Sequence, residues 1–167
     1  MTASGPSVLV TGIGLMGGSL AAALAGLGWR VLLHHRRPEV ARQAQALGYG
    51  TAIERIDEAA DVGIAVVCTP VGAIVDAVRT VAASTAAIIT DVGSTKNRIV
   101  SELSALGDRF VGSHPMAGSH RQGLEHADPG LFRGCVTVVT PVAATPAPAL
   151  AAVEALWRAI GSRVVRL

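Results

Sequence analysis

Two hydrophobic patterns alternate along the chain. Short continuous apolar runs rich in β-branched residues are separated by longer stretches in which apolar residues recur every three or four positions. Ser7–Thr11 (SVLVT), Arg30–His34, 62–68 (VGIAVVC), 87–91, 109–112, 135–140 and 163–167 read as strands. Several are apolar on both faces, as expected for a sheet covered from both sides. Between them a helix is expected over 17–27, with Leu20, Ala23, Leu24 and Leu27 on one stripe and Gly28 as its stop. Pro38 opens a second helix with the stripe Val40, Ala44 and Leu47, closed by Gly48. Ile74, Val75, Val78, Val81 and Ala82 mark a third, and Ile99, Val100, Leu103 and Leu106 a fourth. Leu150, Val153, Trp157 and Ile160 mark a fifth. Such alternation predicts an α/β fold: a doubly wound, mostly parallel sheet with helices on both faces.

The size agrees with one domain, residues 1–167, since 167 residues suffice to bury a sizeable core. Apolar residues make up 50% and charged residues 16%, which argues against disorder. Net charge is only +2, no basic run exceeds two residues outside His34–Arg37, and aromatics are 3%, so a nucleic-acid partner is not expected. Residues 1–29 carry no charge, yet Met1–Ser7 lacks the basic start of a secretory signal and seven glycines interrupt the stretch. Residues 134–153 are also uncharged but are broken by Pro141, Pro146 and Pro148. Neither stretch reads as a membrane span. Two distant cysteines, Cys68 and Cys135, suit a reducing cytoplasm and make no CxxC metal site; no metal is expected.

The first strand runs into Gly12-Ile13-Gly14-Leu15-Met16-Gly17, a GxGxxG sequence that opens a helix. In a Rossmann-type fold the first glycine permits the tight turn, the second lets backbone approach a pyrophosphate, and the third lets helix and strand pack closely. Amides at the helix N-terminus then face the anion. An acid about 20 residues further on would hold the ribose 2′-hydroxyl of NAD. None is present: the first acid of the chain is Glu39, and the second strand ends in His34-His35-Arg36-Arg37. Guanidiniums there suit a 2′-phosphate, so NADP is favoured over NAD, with His35, Arg36 and Arg37 as contacts.

Ligands of doubly wound sheets lie beyond the carboxyl ends of the strands. Three such ends stand out. Cys68-Thr69-Pro70 makes a sharp turn into a helix; Asp91-Val92-Gly93-Ser94-Thr95-Lys96 offers a hydroxyl that caps the next helix or points into the cleft. After 109–112 comes Ser113-His114-Pro115. Pro115 drives His114 toward an extended backbone, and an imidazole titrating near 6.5 suits proton transfer at neutral pH.

GIGLMGGSL (12–20), CTPV (68–71), DVGSTK (91–96) and GSHPMAGS (112–119) together resemble the prephenate dehydrogenase family, which includes the arogenate dehydrogenases of tyrosine biosynthesis. The resemblance spans nearly the whole chain, and DVGSTK followed by GSHPMAGS is its most specific part. It implies oxidative decarboxylation of prephenate or arogenate with hydride transfer to NAD(P). It implies His114 as the group that takes the substrate hydroxyl proton and Ser94 as its neighbour beside the nicotinamide. Cofactor contacts are expected from Gly12, Ile13, Gly14, Leu15, Met16, Gly17, His35, Arg36, Arg37, Cys68, Thr69, Pro70, Asp91 and Gly93. Family members form homodimers through a helical C-terminal domain that also holds the substrate carboxylate. The chain is expected to lack that domain, and where some relatives carry a glutamate it has His120. Two alternatives stay open: a non-catalytic NADP-binding module, or a 3-hydroxy acid or imine reductase domain, which would need a catalytic lysine or a different base, the only lysine being Lys96.

Overall fold

The computed structural model describes residues 5–167. The reading of Met1–Ser7 as free of a targeting signal falls partly on residues 1–4, outside the described residues. Strands β1 (Ser7–Thr11), β2 (Arg30–His34), β3 (Thr51–Ala52), β4 (Ile64–Val67) and β5 (Ile88–Asp91) form a parallel sheet in the order β3-β2-β1-β4-β5. Order reverses between β1 and β4, so the crevice between their carboxyl ends is the topological switch point where ligands of such sheets bind. β1 and β4 lie inside, β4 apolar throughout and β1 apolar between Ser7 and Thr11, and Val8, Leu9, Val10, Ala65, Val66 and Val67 are solvent-free.

The two-residue β3 was not expected from the sequence, because two residues are too few to show a period. Val8 and Val10 face one core, together with helices α1 (Leu15–Gly26), α2 (Pro38–Ala46) and α5 (Ala147–Ala159). Leu9 faces the other, with α3 (Ile74–Ser84) and α4 (Lys96–Glu102). That is the strand period of two expressed as two cores.

α1 departs from the single stripe expected of it. Leu27 is outside the helix and exposed, whereas Gly17, Gly18, Ser19, Leu20, Ala21, Ala22 and Leu24 are all buried. The helix is covered on a second side by 116–134: a Cβ on Gly18 would press on Leu124, and the Asp128 amide donates to Ser19 Oγ (2.9 Å). A helix covered all round shows no amphipathic face.

The strand expected at 109–112 is displaced. Only Phe110 bridges to Ile89, and the strand proper, β6, is Gly112–Pro115. His114 therefore stands within a strand rather than beyond its end. β6 pairs antiparallel with β7 (Val136–Thr140), which pairs parallel with β8 (Arg163–Arg166). The reversal has a plain cause. The polar, glycine-rich stretch 116–134 makes only a 3-10 turn at Leu124–His126, and without a crossover helix the chain re-enters beside the strand it left. The fourth helix likewise stops at Glu102, with a 3-10 turn at Ser104–Leu106.

Candidate active site

Parallel register brings the expected site residues to one edge. Thr11 is level with His34 and with Val67, and Val67 with Asp91. The turns that follow (12–17, 35–37, 68–70 and 92–94) consequently open together above the switch point. Gly12 holds a positive φ of 87°, and a Cβ there would sit 2.7 Å from the Cys68 carbonyl carbon and the Thr69 nitrogen. Gly17 allows no side chain either, since its Cβ would overlap the Gly12 carbonyl oxygen. Gly14 differs: among the described residues nothing lies within 4 Å of where its Cβ would be.

Open space above Gly14 meets the N-terminus of α1, which has no side-chain cap and no acid in its first turn. Thr69 Oγ1 is buried with no partner. Free amides, an uncovered glycine and an unpartnered hydroxyl on the facing turn fit a dinucleotide phosphate and its neighbouring ribose. Of the remaining loop residues, Ile13 sends its side chain into the core and contributes backbone only, while Leu15 and Met16 are half-buried.

At the end of β2, the His34 ring nitrogen Nδ1 lies 2.8 Å from Thr11 Oγ1. The Arg37 amide donates to His35 Nδ1 (3.0 Å), which leaves Nε2 to carry the proton of the neutral ring, a donor directed away from the backbone. Burial, then the Arg37 charge, lowers the proton affinity of His35. Arg36 and Arg37 are exposed. A donor-only cluster of this kind offers nothing to a ribose hydroxyl proton and much to a phosphate.

Cys68 is half-buried, and burial pushes its thiol well above the ordinary range, so it is not a thiolate nucleophile. Pro70 is exposed at the rim. Asp91, expected as a cofactor contact, has its carboxylate turned wholly inward: it pairs with Lys96 and accepts the amides of Gly93 (2.9 Å) and Ser113 (3.1 Å). Burial pushes this carboxyl up and the ammonium of Lys96 down, and their mutual attraction opposes both shifts. The lysine that the reductase reading would use is thus already engaged by Asp91. Ser94 and Thr95 are exposed, and neither hydroxyl caps α4.

His114 is half-buried, level with Val138 of β7. Its proton affinity is lowered first by burial, next by Lys96, with Asp91 acting in the opposite direction. Beneath it the Ser113 hydroxyl donates to the Asp91 carbonyl (2.6 Å), accepts from Trp157 Nε1 (3.0 Å) and meets Thr90 Oγ1 (2.7 Å). The sequence reading missed Ser113 and treated Trp157 as core alone. A buried indole N–H that needs an acceptor was the available signal.

Fold and glycine turn together define a nucleotide-binding domain of Rossmann type. The sequence profile of the prephenate dehydrogenase nucleotide-binding domain matches residues 20–166. The chain belongs to that family. It is 32% identical to the prephenate dehydrogenase of Bacillus subtilis, over 96% of this chain and 46% of that protein. The crystal structure of Synechocystis arogenate dehydrogenase superposes with a TM-score of 0.92 at 28% identity, covering 96% of this chain and 59% of that one. Prephenate dehydrogenase from Aquifex aeolicus, solved with hydroxyphenyl propionate and NAD+, gives 0.90 at 28% identity, covering 100% and 61%. The chain spans about half the length of the curated relatives it matches.

Proposed function

We propose that the chain is the dinucleotide-binding domain of an NAD(P)-dependent prephenate or arogenate dehydrogenase of tyrosine biosynthesis, acting in the cytoplasm. The reading is supported by the open glycine turn and the Ser94 turn at the carboxyl edge of the parallel sheet, and by the Asp91 carboxylate that accepts the amides preceding Ser94 and His114, in a chain of this family. A bound nicotinamide supplies the hydride acceptor. Amides of the first turn of α1 would hold the diphosphate, and Thr69 would meet the ribose nearer the reacting ring. His114 holds the proton of the substrate hydroxyl while that carbon is oxidised, and returns it to the phenolic oxygen after carbon dioxide departs. Ser94 orients the same hydroxyl. Aromatisation of the ring drives the step, so the protein has mainly to align groups and handle one proton.

The glycine turn is tested by Gly14→Val. Its new side chain enters open space, so unfolding free energy should change by less than about 0.5 kcal/mol. Affinity for NAD(P), read by calorimetry, should fall at least about tenfold because backbone can no longer approach the diphosphate. Unchanged affinity would place the cofactor elsewhere.

NADP is the proposed preference. Arg36→Ala and Arg37→Ala should each weaken NADP about tenfold, since a charge-assisted hydrogen bond contributes about 1.5–3 kcal/mol. NAD binding should hardly change. Tighter NAD than NADP on the unaltered chain ends the 2′-phosphate argument. Prephenate oxidation itself is followed by absorbance of the reduced cofactor, with the family's helical second domain present; no reduced cofactor under those conditions would remove the dehydrogenase reading.

A further inference from the structure

The Asp91 carboxylate makes an unusual pair of contacts. Oδ2 accepts the amide of Gly93, the residue before Ser94, and Oδ1 accepts the amide of Ser113, the residue before His114. One fully buried side chain thus ties the turn just after it to a strand segment 22 residues further along the chain, and the next residue of each carries the proposed chemistry. A neutral amide in its place has one acceptor oxygen and cannot serve both. The other side of the strand is closed by the Ser113 hydroxyl, which donates to the Asp91 carbonyl. Lys96 supplies the counter-charge from the first turn of α4, its side chain only 12% exposed. Its stem lies under β6, where a Cβ on Gly112 would come 3.4 Å from Lys96 Cδ.

We infer that Asp91, with Lys96 as its counter-ion, is a positioning residue of this site, holding the Ser94 turn and the His114 strand at a fixed spacing. This rests on the reading of Ser94 and His114 as the reacting groups. It adds a task for a carboxylate that touches neither substrate nor cofactor. The pair also fixes the charge the imidazole meets. Among the described residues Lys96 on α4 and Asp91 on β5 are the charged groups acting on His114, with opposite signs, and its partner on β7 is the apolar Val138.

The test uses this chain, with amide hydrogen exchange and imidazole titration by nuclear magnetic resonance on Asp91→Asn, Lys96→Met and the double variant. Asp91→Asn should speed exchange of the Gly93 or Ser113 amide at least about tenfold. It should also lower the His114 midpoint by about half a pH unit, because the Asp91 charge that favours the protonated imidazole is removed. Lys96→Met should raise the midpoint. Opposite shifts from two partners of one pair are not produced by loosened packing. The double variant leaves no unpaired buried charge, and its exchange decides the matter if the single variants do not fold. Unaltered exchange at both amides, or midpoints moving the same way in both single variants, overturns the inference. Full turnover by His114→Ala would instead sink the catalytic reading, whatever the exchange shows.

Discussion

Replacing His114 with alanine is expected to cut prephenate turnover by about 10²–10⁴-fold, the usual contribution of a positioned acid–base group. The cofactor affinity should stay within about threefold, because the turn proposed to hold the diphosphate follows β1 and not β6. His114→Gln sharpens the point: the amide can accept a hydrogen bond but cannot hold a proton at neutral pH, so it should lose nearly as much. The pH dependence follows from the environment. Burial and the Lys96 charge lower the proton affinity of His114, with Asp91 only partly offsetting them. A proton acceptor must be neutral, and lowering its midpoint extends the neutral form to more acidic pH. The rate should hold on acidification through the ordinary imidazole range near 6.5 and fall only below it. A rate that halves at 6.5 or above, or an alanine variant within threefold of the unaltered protein, would remove His114 from the role.

Trp157→Ala carries the largest expected loss of stability, about 3–5 kcal/mol, for two reasons that add. The indole is solvent-free and meets Phe132 edge-on at 5.5 Å between centroids, so truncation opens a cavity in the core shared by α1 and α5. It also removes the Nε1 donor from the Ser113 hydroxyl, which keeps Thr90 Oγ1 beside it and the Asp91 carbonyl as its acceptor. Chemical denaturation measures the sum, and the Tm should fall by on the order of 10 °C. Trp157→Phe separates the parts: it keeps most of the ring volume and loses the hydrogen bond, costing about 1–2 kcal/mol. An alanine variant less than 1.5 kcal/mol down, read against that scale, would mean the surroundings collapse into the gap.

The central strands were legible because burial on both faces writes itself as an unbroken apolar run, and β1 was delimited to the residue. The glycine turn was legible because backbone geometry there excludes every other residue at Gly12 and Gly17. The failures have a common source. α1 is buried by a segment more than a hundred residues away, through Ser19 and Asp128, and no local period reports a distant cover. β6 was misplaced by three residues at its start because Phe110-Val111 is more apolar than the Gly112–Pro115 strand that follows, whose bounds are set by pairing with β7. At the site, residue types pointed to His114 and Ser94. They did not reveal that Asp91 faces inward, because an acid at a strand's end looks the same in sequence whether its partner is a ligand or the lysine five residues on.

The long return of 116–134 across the first helix has a bearing on the order in which the molecule is made. The platform proposed for the diphosphate is synthesised before the Asp128 amide that braces it, which follows more than a hundred residues later. Nascent chains that end before Asp128 should therefore retain no cofactor on an affinity matrix, and retention should appear abruptly once that brace and the β7 strand have emerged.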